Sequence, residues 1–155
     1  MTSPATSDLS RSSSCPPPSA IAFSAIRDLI EQEQVRNADF IRTTLPAYLD
    51  KLEARAEFVA EAVDGICHGF VAFYCNDYAT RILYVTLILV APTHRRTGLG
   101  ERLLTRTFEL AHARGFLRCR LEVHPDNPGA RDFYARMGFK PIDARSDAIV
   151  LERTL

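Results

Sequence analysis

The spacing of apolar residues divides the chain into segments of different character. Between about residues 21 and 52, apolar side chains recur every three or four positions, as in helices that bury one face. These positions are Ile26, Leu29, Ile30, Phe40, Ile41, Leu45, Leu49 and Leu52. The pattern predicts two short helices in the first third of the chain.

Strand-like segments follow. Segments 58–63 and 66–74 flank Asp64 and Gly65, a dipeptide typical of the two-residue turn of a β-hairpin. The apolar segment 82–90 predicts a third, buried strand.

Helices and strands alternate in the second half. A helix is predicted from Gly98 to about Arg114, since one face is apolar, the other is charged, and Gly115 is placed as a terminating glycine. Segment 116–124 predicts a strand.

The last helix has a clear start signal. Asn127 is predicted to be its N-cap and Pro128 its first residue, a position where proline loses no hydrogen bond. Segments 139–142 and 148–155 then predict two closing strands.

This order of elements predicts an α+β fold, in which helices flank a mixed, mostly antiparallel central sheet. Residues 1–19 are rich in Ser, Thr and Pro and predict a disordered extension, because they bury too little apolar surface to offset their ordering entropy. Residues 20–155 then form one domain.

Charge and cysteine content limit the possible partners. The 19 Lys and Arg balance the 19 Asp and Glu, which argues against a nucleic-acid-binding protein. No apolar run approaches the ~18 residues of a membrane span, and no secretory signal pattern is visible, so we expect a cytoplasmic protein without a membrane partner. The four cysteines, Cys15, Cys67, Cys75 and Cys119, form no CxxC pair, so reduced thiols are expected rather than a metal site or disulfides.

The loop between Val90 and the helix at Gly98 has the features of an anion site. Gly98 and Gly100 let the backbone approach a ligand closely, and the helix N-terminus that follows favours negative charge. Arg95 and Arg96 add positive charge at the same place. The loop is therefore a candidate phosphate cradle.

Three other interpretations of this loop need comparison with the phosphate cradle. One is a tight turn with solvated arginines. A nucleoside-triphosphate loop is excluded because GxxxxGK[ST] does not occur. A dinucleotide-binding fold is disfavoured because Leu103 stands where a third glycine is needed, and because a hairpin precedes the loop instead of alternating strands and helices.

The motif Arg95-x-x-Gly98-x-Gly100 resembles the [Q/R]xxGx[G/A] signature of the GNAT superfamily of N-acetyltransferases. The strand Leu121-Glu122-Val123 follows in the family's order, and so does Asn127-x-x-Ala130-x-x-Phe133-Tyr134-x-x-x-Gly138-Phe139. The resemblance covers about residues 56–155. It implies a V-shaped splay between strands 82–90 and 117–123 that accepts acetyl-CoA, and direct acetyl transfer to an amine without a metal.

The resemblance also implies the residues that contact acetyl-CoA. Loop amides would bind the pyrophosphate, Asn127 the pantetheine arm, and a backbone N–H near Leu89 or Val90, where the family's strand bulges, the oxyanion. The expected cofactor-binding set is Leu89, Val90, Arg95, Arg96, Thr97, Gly98, Leu99, Gly100, Asn127 and Tyr134.

Tyr134 and Glu122 are the catalytic candidates. Tyr134 matches the family's tyrosine that protonates the coenzyme A sulfur, although a core aromatic residue would fit the pattern too. Glu122 matches the base of ribosomal-protein alanine N-acetyltransferases and lies in an apolar strand, where an unpaired carboxylate is costly. It could instead face solvent or a salt bridge. His124 and Asp77 are reserve bases, and Tyr84 stands where other members carry a carboxylate.

The acceptor is predicted only as a class. A primary amine of a small molecule is favoured over a peptide N-terminus or lysine, and a non-catalytic acyl-CoA-binding module is the alternative of another class. The acceptor is expected to contact residues 36–50 and the turn at Asp77 and Tyr78. A monomer or a homodimer is expected.

Overall fold

The computed structural model describes residues 21–155. The Ser/Pro-rich segment 1–19, predicted to be disordered, lies outside the described residues.

Each predicted helix is present within these residues. Helix α1 is Phe23–Arg36, α2 is Leu45–Arg55, α3 is Leu99–Ala113 and α4 is Pro128–Arg136. Phe40 and Ile41, which share the helical spacing, lie instead in the linker between α1 and α2, where Ile41 is buried.

Six strands form one sheet. They are β1 Glu57–Val63, β2 Ile66–Tyr74, β3 Ile82–Val90, β4 Arg118–Val123, β5 Lys140–Ala144 and β6 Ile149–Thr154. Their order in the sheet is β1-β2-β3-β4-β6-β5, and the pair β3–β4 is parallel while the other neighbours are antiparallel. The predicted fold class is confirmed. The hairpin turn has Asp64 and Gly65 at φ 53° and 78°, the left-handed conformation of a two-residue turn.

The sheet opens between β3 and β4. These strands pair at Ile82↔Arg118, Leu83↔Cys119 and Tyr84↔Arg120, and the pairing stops there although β3 continues to Val90. The two strands therefore form the predicted V, closed near Tyr84 and open toward the end of β3.

A β-bulge lies at the point where the V begins to open. Ala72 of β2 faces Leu87, but the next residue, Phe73, faces Val85, so Thr86 is the extra residue on β3. The bulge changes which side chains face each way: Leu83 and Val85 belong to one core, whereas Leu87 and Leu89 pack in the other. The expected bulge near Leu89 or Val90 is thus displaced toward the start of the strand.

Helices cover the two faces of the sheet. Helices α3 and α4 pack on one face with Leu99, Leu103 and Tyr134, and α1 and α2 pack on the other with Ile30 and Leu52. Close approach of α3 depends on Gly69 of β2: a Cβ there would lie 3.2 Å from Leu103 Cδ1, Leu99 Cδ2 and the Leu89 carbonyl oxygen. Gly69 therefore lets the N-terminal turns of α3 lie directly on the sheet beside the V.

We predict that Gly69→Ala lowers the free energy of unfolding by about 1–3 kcal/mol, because its methyl group overpacks the contact between α3 and β2. Gly129→Ala is the matched control, since an added Cβ meets only Asn127 Oδ1, at 3.9 Å, and alanine favours the helix. Urea unfolding measures both. Equal stability of the two variants would show that α3 does not need Gly69.

Candidate active site

A cavity of about 1050 Å³ occupies the open part of the V. Its walls come from the α1–α2 linker, the second half of β3, the loop before α3, the end of β4, and α4. Of the predicted residues, those in its lining are Val90, Arg95, Arg96, Gly98, Leu99, Gly100, Glu122, His124, Asn127 and Tyr134. Most of the predicted set is thus brought to one place.

The loop before α3 presents a helix N-terminus to this cavity. After a single 3₁₀ turn, Pro92–His94, Arg96 and Gly98 adopt left-handed conformations, φ 65° and 82°, which turn the chain into α3. The N–H groups in the first turn of a helix have no partner within the helix, and in α3 no side chain caps them. Such a terminus attracts an anion through its N–H groups and the helix dipole.

Arg95 makes two contacts that the sequence did not predict. Its Nε donates to the Val90 carbonyl oxygen at 2.9 Å, and its Nη2 contacts Glu33 Oε1 of α1 at 3.0 Å. The Glu33 residue is only 9% exposed, and Arg36 shares the same Oε1 at 2.9 Å. Arg95 thus ties the loop to α1, while Arg95 and Arg96 are both exposed and line the cavity.

Two predicted cofactor contacts do not line the cavity. Leu89 is buried in the core beneath α1 and α2. Thr97 is exposed, and its hydroxyl group donates to the His94 carbonyl oxygen at 2.6 Å. Thr97 therefore shapes the loop from within.

The backbone of β3 identifies the peptide groups that face the V. The Ala91 N–H donates to the His68 carbonyl oxygen of β2, at 2.8 Å. Backbone groups in an antiparallel pair alternate in direction, so the N–H of Leu89 also faces β2, while those of Ile88 and Val90 face the cavity. Of the two expected oxyanion donors, Val90 therefore has its N–H toward the cavity and Leu89 does not, and the N–H of Ile88 faces the cavity as well.

Tyr134 is both a core residue and a cavity residue. Its ring packs against Phe133 and Phe139, with centroids 5.3 Å and 5.5 Å away, and it is 7% exposed. Burial raises the pKa of Tyr134, so the phenol is neutral at physiological pH and keeps a proton to donate. The two interpretations from the sequence are compatible.

Asn127 is the N-cap of α4, as predicted. Its Oδ1 accepts a hydrogen bond from the Ala130 N–H at 3.1 Å, and Pro128 is the first helical residue. Because Asn127 also lines the cavity, one side chain fixes the start of α4 and borders the site.

The sequence left two surroundings open for Glu122, an apolar strand interior or solvent and a salt bridge, and the structure has the second. Leu121 and Val123 point into the core beneath α3, so Glu122 faces the opposite side of the sheet, where its side chain is 42% exposed. Its Oε2 contacts Arg145 Nη2 at 3.0 Å. The carboxylate is therefore paired and solvated, though it borders the cavity; its role as a base stays a prediction.

The reserve base Asp77 lies away from the cavity. Tyr78 packs against Phe116, and Arg81 accepts a hydrogen bond from the Leu117 N–H, so this turn lies at the closed end of the V. Hydrogen bonding from Thr80 lowers the pKa of the exposed Asp77, which makes it a poorer base. Neither Asp77 nor Tyr78 lines the cavity, so the structure gives the predicted acceptor contact with this turn no support.

His124 borders the cavity, but one of its ring nitrogens is already hydrogen-bonded. Its Nδ1 accepts a hydrogen bond from the Asp126 N–H at 3.1 Å. In the neutral imidazole with this hydrogen bond, the proton is on Nε2. Tyr84 is no base, because burial and the nearby charge of Glu122 raise its pKa to about 12.

Sequence reasoning missed several residues of the site. Thr86 was missed because a β-bulge has no sequence pattern of its own, and Ile88 because the sequence does not show which way a peptide N–H points. Arg145 was missed because its ion-pair partner, Glu122, is 23 residues away. The prediction that segment 36–50 would border the acceptor had a better basis: Asn37, Asp39, Phe40 and Arg42 line the cavity.

Residues 21–155 contain no group of three or more His, Cys, Asp or Glu side chains placed to share a metal ion. Cys67, Cys75 and Cys119 are buried free thiols, and burial raises the pKa of Cys67 to about 11. Within the same residues, no helix is long and apolar enough to cross a membrane.

Comparisons with known proteins agree on one family. The model of the acetyltransferase (GNAT) family matches residues 23–139. An N-acetyltransferase of Methanocaldococcus jannaschii is 35% identical over 97 residues, which are 60% of this chain and 42% of that protein. The streptothricin acetyltransferase of Streptomyces lavendulae is 39% identical over 82 residues, 53% of this chain and 43% of that protein. The match thus spans about two fifths of these relatives' own length.

A solved structure supports the fold. The PaiA N-acetyltransferase of Thermoplasma acidophilum, in complex with coenzyme A, superposes with a TM-score of 0.61 at 20% identity. The superposition covers 80% of this chain and 77% of that one.

We predict that Asn127→Ala lowers the free energy of unfolding by about 1 kcal/mol, because the Ala130 N–H loses its acceptor. Asn127→Asp is the control, since a carboxylate oxygen at the same place also caps a helix. Thermal or urea unfolding measures both variants. A stability for Asn127→Ala equal to that of the parent would mean that α4 does not depend on this cap.

Proposed function

Because the chain belongs to the acetyltransferase (GNAT) family, we propose that it transfers the acetyl group of acetyl-CoA directly to a primary amine of a small molecule. The observation that carries this proposal is the cavity between β3 and β4, into which the uncapped N-terminus of α3 and the buried phenol of Tyr134 both project.

In this proposal, the diphosphate of acetyl-CoA binds the N–H groups of Gly98, Leu99 and Gly100. Unpaired N–H groups at a helix N-terminus are suited to phosphate oxygens, and Arg96 adds a charge that no acidic partner compensates among the described residues. The pantetheine arm, which carries amide groups, extends along the exposed backbone edge of β3, where Ile88 offers N–H and C=O groups and Val90 an N–H group, its carbonyl oxygen being bonded to Arg95.

The proposed chemistry is attack of the neutral amine on the thioester carbonyl carbon. The N–H of Ile88 or Val90 stabilises the oxyanion of the tetrahedral intermediate. The C–S bond then breaks, and the departing thiolate takes a proton from Tyr134. The ammonium form of the acceptor loses two protons in total. One passes to Glu122 and on to solvent, and the other returns to the Tyr134 oxygen, so that free thiol is formed.

A small acceptor is favoured over a protein one by a relative. The linker residues Asn37, Asp39, Phe40 and Arg42 line the cavity and are available to contact such an acceptor. The relative that is 39% identical over 82 residues acts, by its name, on streptothricin. Peptide N-termini and lysine peptides therefore serve as the alternatives in the test.

The central experiment measures thiol release from acetyl-CoA in the presence of aminosugars, polyamines, amino acids, and peptides with free N-termini or lysine. Release that depends on a small amine is the expected result. Release with peptides alone would replace the small-molecule acceptor. Binding of acetyl-CoA without release, over the whole panel, would favour a non-catalytic acyl-CoA-binding module.

We predict that Tyr134→Phe lowers kcat at least about 100-fold, because the leaving thiolate loses its proton donor. The KM for acetyl-CoA should stay within about threefold, since the aromatic packing of the ring is kept. Burial raises the pKa of Tyr134 above its ordinary value of 10.0, so the phenol stays protonated in alkaline solution. The kcat of the parent should therefore not fall through ionisation of Tyr134 at any pH up to about 9.5. A descending limb below that pH, absent in Tyr134→Phe, would contradict the assignment, as would equal kcat values.

We predict that Arg96→Gly weakens acetyl-CoA binding about threefold to tenfold in calorimetry, because a charge beside the diphosphate is lost. Glycine suits φ 65°, so the loop keeps its conformation. Arg81→Gly is the matched control: it removes the same charge from a residue of φ 58° at the closed end of the V. The acetyl-CoA affinity of Arg81→Gly should equal that of the parent. This variant also loses the hydrogen bond from Arg81 to the Gly115 carbonyl oxygen, which concerns stability and not affinity. Equal losses in both variants would point to net charge alone.

A further inference from the structure

The cavity continues through the V to the face of the sheet that carries α2. Thr86 and Glu122, which border the cavity, lie on this face, because their neighbours Val85 and Leu121 pack in the core beneath α3. Tyr84 lies on the same face, next to the point where β3 and β4 separate. The surface around these three residues is the side from which an acceptor can reach the thioester.

Aromatic rings form one wall of this surface. Tyr84 and Tyr74 are direct cross-strand partners, so their side chains lie beside each other on the α2 face. Tyr48 of α2 lies close to Thr86 of β3. Burial raises the pKa of Tyr48, and a hydrogen bond with the Thr86 side chain offsets part of that rise. The Lys51 ammonium group is 5.9 Å from the centroid of the Tyr74 ring, within the distance of a cation–π contact.

Carboxylates form the opposite wall, with one arginine between them. Arg145 is at the turn between β5 and β6, and its guanidinium group contacts Glu122 at 3.0 Å and Asp143 at 3.6 Å. Two carboxylates and one guanidinium leave this group of three with one net negative charge. On the same face, Arg118 and Arg120 share the carboxylate of Glu152, at 3.8 Å and 2.7 Å, so Arg120, the nearer of the two to Glu122 along β4, is the more closely paired.

We propose that Tyr84, Tyr48 and Glu122 form a subsite for the acceptor's ammonium group, and that the Arg145 guanidinium occupies the Glu122 carboxylate until the acceptor displaces it. This inference rests on the proposed function and names the charge of its substrate. The preferred acceptor is a small cationic amine that carries no carboxylate.

The ion pair is suited to displacement. Both partners are exposed, 49% for the Arg145 side chain and 42% for that of Glu122, and exposed pairs of this kind are weak. When it leaves Glu122, Arg145 keeps Asp143 as a partner, so no ligand carboxylate is needed to compensate it. The freed Glu122 then holds the ammonium group and is placed to take its proton.

The test compares 1,4-diaminobutane with ornithine, which is the same diamine with one added carboxylate. The coenzyme A complex of the full chain is titrated with each, and both are also assayed as acceptors. We expect 1,4-diaminobutane to bind at least about tenfold more tightly, because the carboxylate meets Glu122 and Asp143. Equal or tighter binding of ornithine, or no binding of 1,4-diaminobutane, would overturn the subsite. Failure of acetyl-CoA itself to bind would instead reject the proposed function.

Variants separate the two parts of the inference. Arg145→Gln should tighten 1,4-diaminobutane binding about threefold or more without changing acetyl-CoA affinity, since the competing cation is gone. Arg118→Gln, on the same sheet face and 3.8 Å from Glu152, is the control and should change neither. Weaker diamine binding in Arg145→Gln would make Arg145 a positioning residue for Glu122 and overturn its role as competitor.

The aromatic wall is tested at Tyr84. Tyr84→Leu should weaken 1,4-diaminobutane binding about fivefold to tenfold, while Tyr84→Phe, which keeps the ring, should stay within about twofold of the parent. Thermal unfolding confirms that both variants fold. Equal affinities of the two variants would remove the ring from the subsite.

Discussion

The structure depends on the place where hydrogen bonding between β3 and β4 stops. Three residue pairs join these strands, and after Tyr84 and Arg120 the backbone edges are free. Unpaired peptide groups are costly when buried, so a strand edge in the middle of a sheet needs another partner. Here that partner is proposed to be the amide-containing arm of acetyl-CoA. The interruption in the sheet and the binding site are the same feature.

Two glycines and a bulge hold the interruption open. Gly69 lets α3 lie close to β2, which brings the helix N-terminus to the open end of the V. Gly98 turns the loop into that helix. The bulge at Thr86 shifts the in-and-out alternation of residues along β3. Before the bulge, Leu83 and Val85 point into the core, and after it Ile88 and Val90 direct their N–H groups to the cavity. Each device is local, and together they place an anion site, backbone donors and a phenol around one volume.

Much of this could be predicted from the sequence because it follows from local patterns. The hairpin at Asp64 and Gly65, the cap at Asn127 and the glycine loop each have a short-range physical cause. The surroundings of Glu122 could not be predicted in the same way. An apolar strand suggests burial, but the alternation of β4 turns this one carboxylate outward, and its partner Arg145 is 23 residues away. The contacts of Arg95 were not predicted for a similar reason, since a motif shows a charge but not the distant Glu33 that pairs with it.

The bond between Arg95 and Glu33 links two distant parts of the chain. It joins residues 62 positions apart and fastens the loop before α3 to helix α1. Closing so long a segment of chain costs conformational entropy. The burial of Ile26, Leu29 and Ile30 of α1 in the core offsets that cost. The conformation of the loop before α3 is therefore coupled to the packing of a helix on the other face of the sheet.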